Sequence, residues 1–147
     1  MPFLLAYLSR STVANTAEII DGIALTSSAN NAAVGITGVL LLNGNYFFQV
    51  LEGREDLVRA LYRRIAEDPR HSEARVVLAC QLDERLFDDW FMRAFNLDAY
   101  YDVDMTAFRR RLNATVGGAV ASRREVLDLL RSFKRLVVET DTYHRPS

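Results

Sequence analysis

Cysteine is almost missing from this chain: Cys80 is the only one among 147 residues. No disulfide can form within the chain, and a reducing compartment fits that usage. Proline (three) and glycine (seven) are also sparse. No low-complexity stretch, internal repeat or Gly-rich loop of phosphate-binding spacing is evident. The two histidines, His71 and His144, lie far apart, and no metal cluster can be built from them. A formal net charge of −1 provides no general attraction to nucleic acid or an anionic membrane surface. No apolar run approaches the roughly 18 residues of a spanning helix. The start, Met1-Pro2-Phe3-Leu4-Leu5, has no basic region and turns polar at Ser9-Arg10, so it does not read as a signal peptide. The expectation is a cytoplasmic protein with no membrane or nucleic-acid partner.

What remains is an ordinary globular composition, 50% apolar and 25% charged, enough for one domain and an appendage. Phe3–Ser9 reads as a strand. A helix follows from about Asn15 to Ala29, capped by Asn15 or Thr16, with Glu18 in its first turn and an apolar stripe of Ile19, Ile20, Ile23 and Ala24. The Ser27–Asn31 cluster weakens it. Asn43-Gly44, between two apolar runs, marks a two-residue hairpin whose central residues both need positive φ. A second helix is expected from about Arg54 to Glu67, with Leu57, Val58, Leu61 and Ile65 inward and Pro69 blocking its continuation. Arg75–Leu82 has a near-continuous apolar centre, the pattern of a strand buried on both faces. Leu86–Phe95 holds a short further strand with Trp90 and Met92. The order is α+β, a ferredoxin-like β-α-β-β-α-β sheet with an extra strand, over residues 1–98. A C-terminal extension, 99–147, follows: a linker at Ala99–Asp104, a short basic helix at Met105–Asn113, a break at Gly117-Gly118, and a last helix opened by the capping box Ser122-Arg123-Arg124-Glu125. The tail from Thr140 is expected to be mobile.

Catalytic chemistry finds little support. Cys80 alternates within an apolar strand and reads as a small core residue. Glu55-Asp56 and Asp88-Asp89 are sequence neighbours that suit a helix start and a turn. Gln49 is different. It is a primary amide amid Phe47, Phe48, Val50 and Leu51, and such a group is costly to bury without partners. In a ferredoxin-like sheet the first and third strands pair, so Tyr7 can meet Gln49 on one face as a phenol–amide hydrogen-bonded pair. On spacing alone that bond reads as structure before function; likewise Asn31 reads as a helix C-cap and Trp90-Phe91-Met92 as core.

Taken in order, Tyr7-Leu8-Ser9, Asn30-Asn31, Gly35-Ile36-Thr37-Gly38, Phe47-Phe48-Gln49-Val50-Leu51-Glu52-Gly53, Asp68-Pro69-Arg70-His71 and Trp90-Phe91-Met92 resemble a BLUF domain, a flavin-binding blue-light sensor, over about Phe3 to Phe95. The resemblance implies non-covalent FAD between the two helices and no other cofactor. It implies that Tyr7 donates an electron and a proton to the excited flavin. Gln49 would bridge Tyr7 and the flavin edge and change its hydrogen bonds after illumination. Asn31 would contact the ring's carbonyl and imide, and Asn30 a variable ring-edge position. Ser9, Trp90 and Met92 would surround this pair. Arg64, Asp68, Arg70 and His71 would contact the other carbonyl and the ribityl chain, with Ile23 and Ile65 as apolar walls. Leu42 and Phe48 depart from the family's common aromatic and leucine at those positions.

The extension is too short for a cyclase or phosphodiesterase domain. The resemblance is therefore to a short, stand-alone, non-enzymatic sensor that signals through a separate protein. The final helix, with its stripe of Val126, Leu129, Leu130, Phe133, Leu136 and Val137 beside Arg123, Arg124, Arg131, Lys134 and Arg135, is expected to cover the opposite sheet face or a second copy, giving a homo-oligomer. Two alternatives stand: a non-photoactive interaction module, and an acylphosphatase-like hydrolase. The latter needs a phosphate-cradling loop after the first strand, where Leu8–Ala14 has no glycine.

Overall fold

Five strands form one sheet: β1 (Phe3–Ser11), β2 (Thr37–Asn43), β3 (Tyr46–Gly53), β4 (His71–Gln81) and β5 (Phe91–Asn96), with α1 (Thr16–Ala33) and α2 (Glu55–Ala66) between them. The computed structural model describes residues 1–13, 16–117 and 122–144. The expected Asn15 cap and Gly118 lie outside those residues, as do the side chains of Glu18, Ile19 and Ala24. The spatial order is β4-β1-β3-β2-β5. β1 pairs antiparallel with β3 and β4, β2 pairs antiparallel with β3, and β5 runs parallel to β2. This is the expected ferredoxin-like order, with the extra strand added at the β2 edge.

Side chains of both sheet faces are buried, and one face forms a core with the two helices. Phe3, Leu5 and Tyr7 of β1, Leu40 and Leu42 of β2, Phe47 and Leu51 of β3, and Met92 of β5 pack with Ile20 of α1 and Val58 of α2. The period-2 spacing along each strand puts these side chains on one face. α2 offers its Leu57, Leu61 and Ile65 edge to that face, while Glu55 and Asp56 suit its N-terminus and Arg63 and Arg64 its C-terminus.

Several boundaries differ from the sequence reading. The hairpin pairs Asn43 with Tyr46, so its central residues are Gly44 and Asn45, one position later than expected. Only Gly44 has positive φ (62°), the pattern of a II′ turn with glycine first. α1 runs on through Ser27–Asn31 to Ala33, because Asn31 O accepts the N–H of Val34 and of Ile36 and turns the chain after the cluster. β4 is not buried on both faces. It pairs with β1 alone, register shifts interrupt that pairing, Glu73 takes a left-handed φ of 58°, and Val76 is 43% exposed. Its apolar run is that of an edge strand, and Cys80 is half-buried rather than a core residue. β5 spans Phe91–Asn96, within the expected stretch but for its last residue; it carries Met92, while Trp90 lies just before it.

The chain divides into two compact units, residues 1–99 and 100–147. In the second, α3 (Val103–Gly117) and α4 (Arg123–His144) pack together, with Phe108 and Phe133 ring centres 5.0 Å apart. Asp102 Oδ2 accepts the Met105 N–H, which starts α3 inside the expected linker. Ser122 Oγ accepts the Glu125 N–H, as a capping box requires. α4 stays helical past Thr140 to His144, where a mobile tail was expected.

Candidate functional site

The site is built on the centre of the sheet. Gln49 lies in register with Tyr7 on one side and Leu40 on the other. Its side chain is 6% exposed, and Tyr7 is 2% exposed. The Tyr7 hydroxyl donates to Gln49 Oε1. Gln49 Nε2 donates to Met92 Sδ at 3.2 Å. Burial, then the nearby Tyr62 and Asp68, push the Tyr7 pKa far above its ordinary value. The phenol is therefore neutral at any physiological pH, and in this structure its O–H meets the amide oxygen.

The two ends of the amide are held unequally. A phenol is a strong donor, whereas a thioether is a weak acceptor. The weak end stands on irregular backbone. Pairing of β2 with β5 shifts register between Gly38 and Val39, leaving Met92 as the extra residue, with φ 129°. That region is rare for a residue with a side chain. Gly38 makes the arrangement possible. Its φ is 156°, and a Cβ there would stand 1.8 Å from Val50 O and 3.3 Å from Met92 Cε. Trp90 belongs to another cluster: its ring packs against Phe87 and Phe95, with centres 5.3 and 5.8 Å away. The Arg93 guanidinium lies 4.5 Å above it. Met92, not Trp90, is the residue bonded to Gln49. Ser9 is buried, and its hydroxyl has no partner among the described residues.

Beside this pair a cavity of about 100 Å³ is lined by Tyr7, Ile23, Ser27, Leu40, Phe47, Gln49, Ile65, Asp68, Arg70 and His71. The expected residues Tyr7, Ile23, Gln49, Ile65, Asp68, Arg70 and His71 thus come together. Asn31 is buried and Asn30 and Arg64 are exposed, and none of these three lines the cavity. Ser27, Leu40 and Phe47 were not among the expected residues. Two were legible by spacing, Phe47 two positions from Gln49 on one strand face and Ser27 four positions beyond Ile23 on α1, whereas Leu40 is placed by the β2–β3 register. At the rim, Arg70 chelates Asp68 with contacts of 2.6 to 3.1 Å. That bond, more than the competing desolvation, holds the Asp68 pKa down at about 2. His71 Nε2 lies against the Ile65 carbonyl, while its buried Nδ1 has no partner among the described residues. A carbonyl only accepts, so Nε2 carries the proton, and in the neutral ring Nδ1 presents a lone pair.

This arrangement fits a planar, polar-edged ring molecule in its chemistry: apolar walls, an amide at the inner end, and an unused acceptor and a charged pair at the rim. The cavity is smaller than the roughly 300 Å³ at the lower end of ligand pockets, so it would have to widen to admit such a ring. Among the described residues no group of His, Cys, Asp and Glu could hold a metal ion, and no helix is long and apolar enough to cross a membrane.

Comparison with known proteins gives one consistent result. Residues 3–93 match the family model described as BLUF, sensors of blue-light using FAD. The photoactivated adenylate cyclase subunit alpha of Euglena gracilis is 32% identical over 96 residues, 64% of this chain and 9% of that protein. The blue light- and temperature-regulated antirepressor BluF of Escherichia coli is 37% identical over 78 residues, 53% of this chain and 19% of that protein. The chain therefore spans about a tenth to a fifth of the length of these relatives. Among solved structures, the dark state of BlrB, a BLUF protein, superposes with a TM-score of 0.74 at 30% identity, covering 90% of this chain and 94% of that one. A Klebsiella pneumoniae structure with FMN and cyclic diGMP superposes with a TM-score of 0.68 at 27% identity, covering 99% of this chain and 37% of that one.

Proposed function

This chain belongs to the BLUF family of flavin-binding blue-light sensors, and from that premise we propose that it is a light receptor whose switch is the Gln49 amide. The observation that carries the reading is the unequal clamp on that amide, a phenol at one end and a thioether at the other. FAD is the flavin we assign. Gln49 and Tyr7 would meet its ring edge, Ile23, Ile65, Leu40 and Phe47 would wall it, and His71 Nδ1 would take a hydroxyl or N–H donor. Asn31, Asn30 and Arg64 stand outside the cavity lining and would reach the flavin only once it widens. When bound, flavin supplies blue absorption and the capacity to take up and return an electron and a proton.

The chain's own residues do the rest. Tyr7 holds its proton on the bond to Gln49 Oε1. Tyr7 would give up an electron together with this proton to the bound flavin and take both back, and the amide would re-form with its ends exchanged. Nε2 then donates to the phenol oxygen, and Oε1 faces Met92 Sδ, which has no proton to offer. Met92 loses its donor, and the strained start of β5 is released. A two-state element biased in this way is the ordinary route from a local bond to a signal. A separate protein would receive the change, in keeping with the antirepressor among the relatives. We assign no catalytic site to the chain, and we retain self-association through the α3–α4 unit as part of the proposal.

Purified protein loaded with flavin should be yellow and should red-shift reversibly in blue light. Gln49→Leu should bind flavin and lose that shift. Colourless protein after reconstitution, or a wild-type shift in Gln49→Leu, overturns the reading.

A further inference from the structure

The third strand carries a second buried polar residue, which the proposed light reaction leaves unused. Glu52 has no exposed surface. Its Oε2 accepts the Leu86 N–H at 2.6 Å, and its Oε1 accepts the Phe87 N–H at 2.9 Å and the Thr37 hydroxyl at 3.2 Å. Leu86 and Phe87 belong to the irregular segment between β4 and β5. The Arg85 guanidinium donates to Gly35 O at 2.7 Å and Thr37 Oγ1 at 3.1 Å, closing the same corner. From there a line of hydrogen bonds leads to the switch. Phe87 O accepts the Trp90 N–H at 3.1 Å, and Trp90 O accepts the Gly38 N–H at 2.8 Å. Met92 follows two residues after Trp90, on the bulge that Gly38 permits.

We infer that Glu52 is a positioning residue for the switch: its carboxylate fastens the segment leading into β5 and so sets where Met92 Sδ stands against Gln49. The inference rests on the reading of Gln49 as the switch. The chemistry requires a carboxylate here. Two backbone N–H groups and a hydroxyl converge on Glu52, with a guanidinium beside them, and only an acceptor-only group satisfies them all. Glutamine would turn an NH₂ toward a backbone N–H and leave a buried donor unpaired. Burial pushes the Glu52 pKa up, while the Leu86, Phe87 and Thr37 donors and Arg85 act in the opposite sense. Gln49 and Glu52 lie three residues apart on β3, so one strand would carry both the moving group and the anchor of the group it moves against.

The test is Glu52→Gln in the full chain, measured two ways. In the dark, backbone amide exchange at Leu86 and Phe87 should rise about tenfold or more, while the amides of the β1–β3 ladder stay within about twofold. Under illumination the red-shift should persist, with its dark recovery altered about threefold or more. Exchange needs no photochemistry, so it reads the anchor even if the light reaction itself fails. Unchanged exchange at Leu86 and Phe87 overturns the inference. So does faster exchange with an unchanged recovery rate, which would leave Glu52 a purely structural clasp. Should Glu52→Gln not fold, Thr37→Val removes one bond to the carboxylate and the acceptor it offers Arg85, and should give the same pattern at smaller amplitude; wild-type recovery there also overturns the inference.

Discussion

Two strands approach Gln49 and they are built on opposite terms. β1 is nine residues long and pairs with β3 without a register shift, from Phe3 opposite Gly53 to Arg10 opposite Tyr46. β5 has six residues, joins the sheet beside β2 through a bulge, and holds Met92 at a left-handed φ. β1 brings a neutral phenol, β5 a thioether. One side of the amide is thus fixed by regular pairing and a strong donor, the other by a weak acceptor on backbone that costs on the order of 1–3 kcal/mol to hold. The difference teaches where a signal can leave. A bond change at Gln49 cannot move β1 without breaking its regular ladder with β3, although the β1–β4 pairing shifts register next to Tyr7, whereas β5 meets the amide from a bulge.

The largest expected effect comes from the β1 side. Tyr7→Phe removes the hydroxyl and keeps the ring, leaving the buried Gln49 Oε1 without its donor. The light-induced red-shift should fall by at least about tenfold, and stability should drop by about 1–3 kcal/mol for the orphaned acceptor. Difference spectroscopy and denaturant unfolding read the two. A retained shift would place the essential donor elsewhere and remove the asymmetry.

On the β5 side the same kind of change should do less. Met92→Leu deletes the sulfur at nearly constant volume, a swap that ordinarily costs under about 1.5 kcal/mol. The shift should survive, because Tyr7 and Gln49 are untouched, while dark recovery should change by about two- to fivefold as the amide loses its weak acceptor. A variant that abolishes the shift would make the two sides equal partners and break the comparison.

Much of this contrast was legible in the sequence, and its limits are physical. Alternation in Phe3–Ser9 and the apolar hairpin around Gln49 report regular pairing directly, so the Tyr7–Gln49 pair could be foreseen from spacing and fold. The α2 stripe and the Ser122 cap were equally readable, because each depends on residues a few positions apart. The β5 side was not. The segment leading into it is held by Glu52, more than thirty positions upstream, which accepts the Leu86 and Phe87 amides. The bulge at Met92 depends on Gly38 across the sheet. The apolar run of β4 misled because hydropathy does not report whether a strand's faces are covered, and no β4 residue is fully buried. The choice of Met92 over Trp90 beside Gln49 is a matter of tertiary packing, with the Trp90 ring held by Phe87, Phe95 and Arg93.

The smallest effect sharpens how insulated the β1 side is. Asp68 is among the groups whose charge raises the Tyr7 pKa, after burial and Tyr62. Its own pKa is lowered from 3.8 to about 2, chiefly by the bond from Arg70. The sign follows from the depression: this pair stabilises the folded chain fully above about pH 4, and that contribution is lost as pH falls from 3.8 toward 2. Asp68 and Arg70 side chains are 27% and 50% exposed, so solvent screens the pair. The Tm advantage of wild type over Asp68→Asn should be only about 1–3 °C at neutral pH and should shrink toward zero near pH 2. Taking the difference between the two proteins cancels the other carboxylates. Tyr7 stays protonated throughout this range, so in flavin-loaded protein the size of the red-shift should be the same in both at each pH at which they are folded. A red-shift that tracks the Asp68 titration would mean that the rim charge reaches the phenol–amide bond, and that β1 is less fixed than its regular pairing implies.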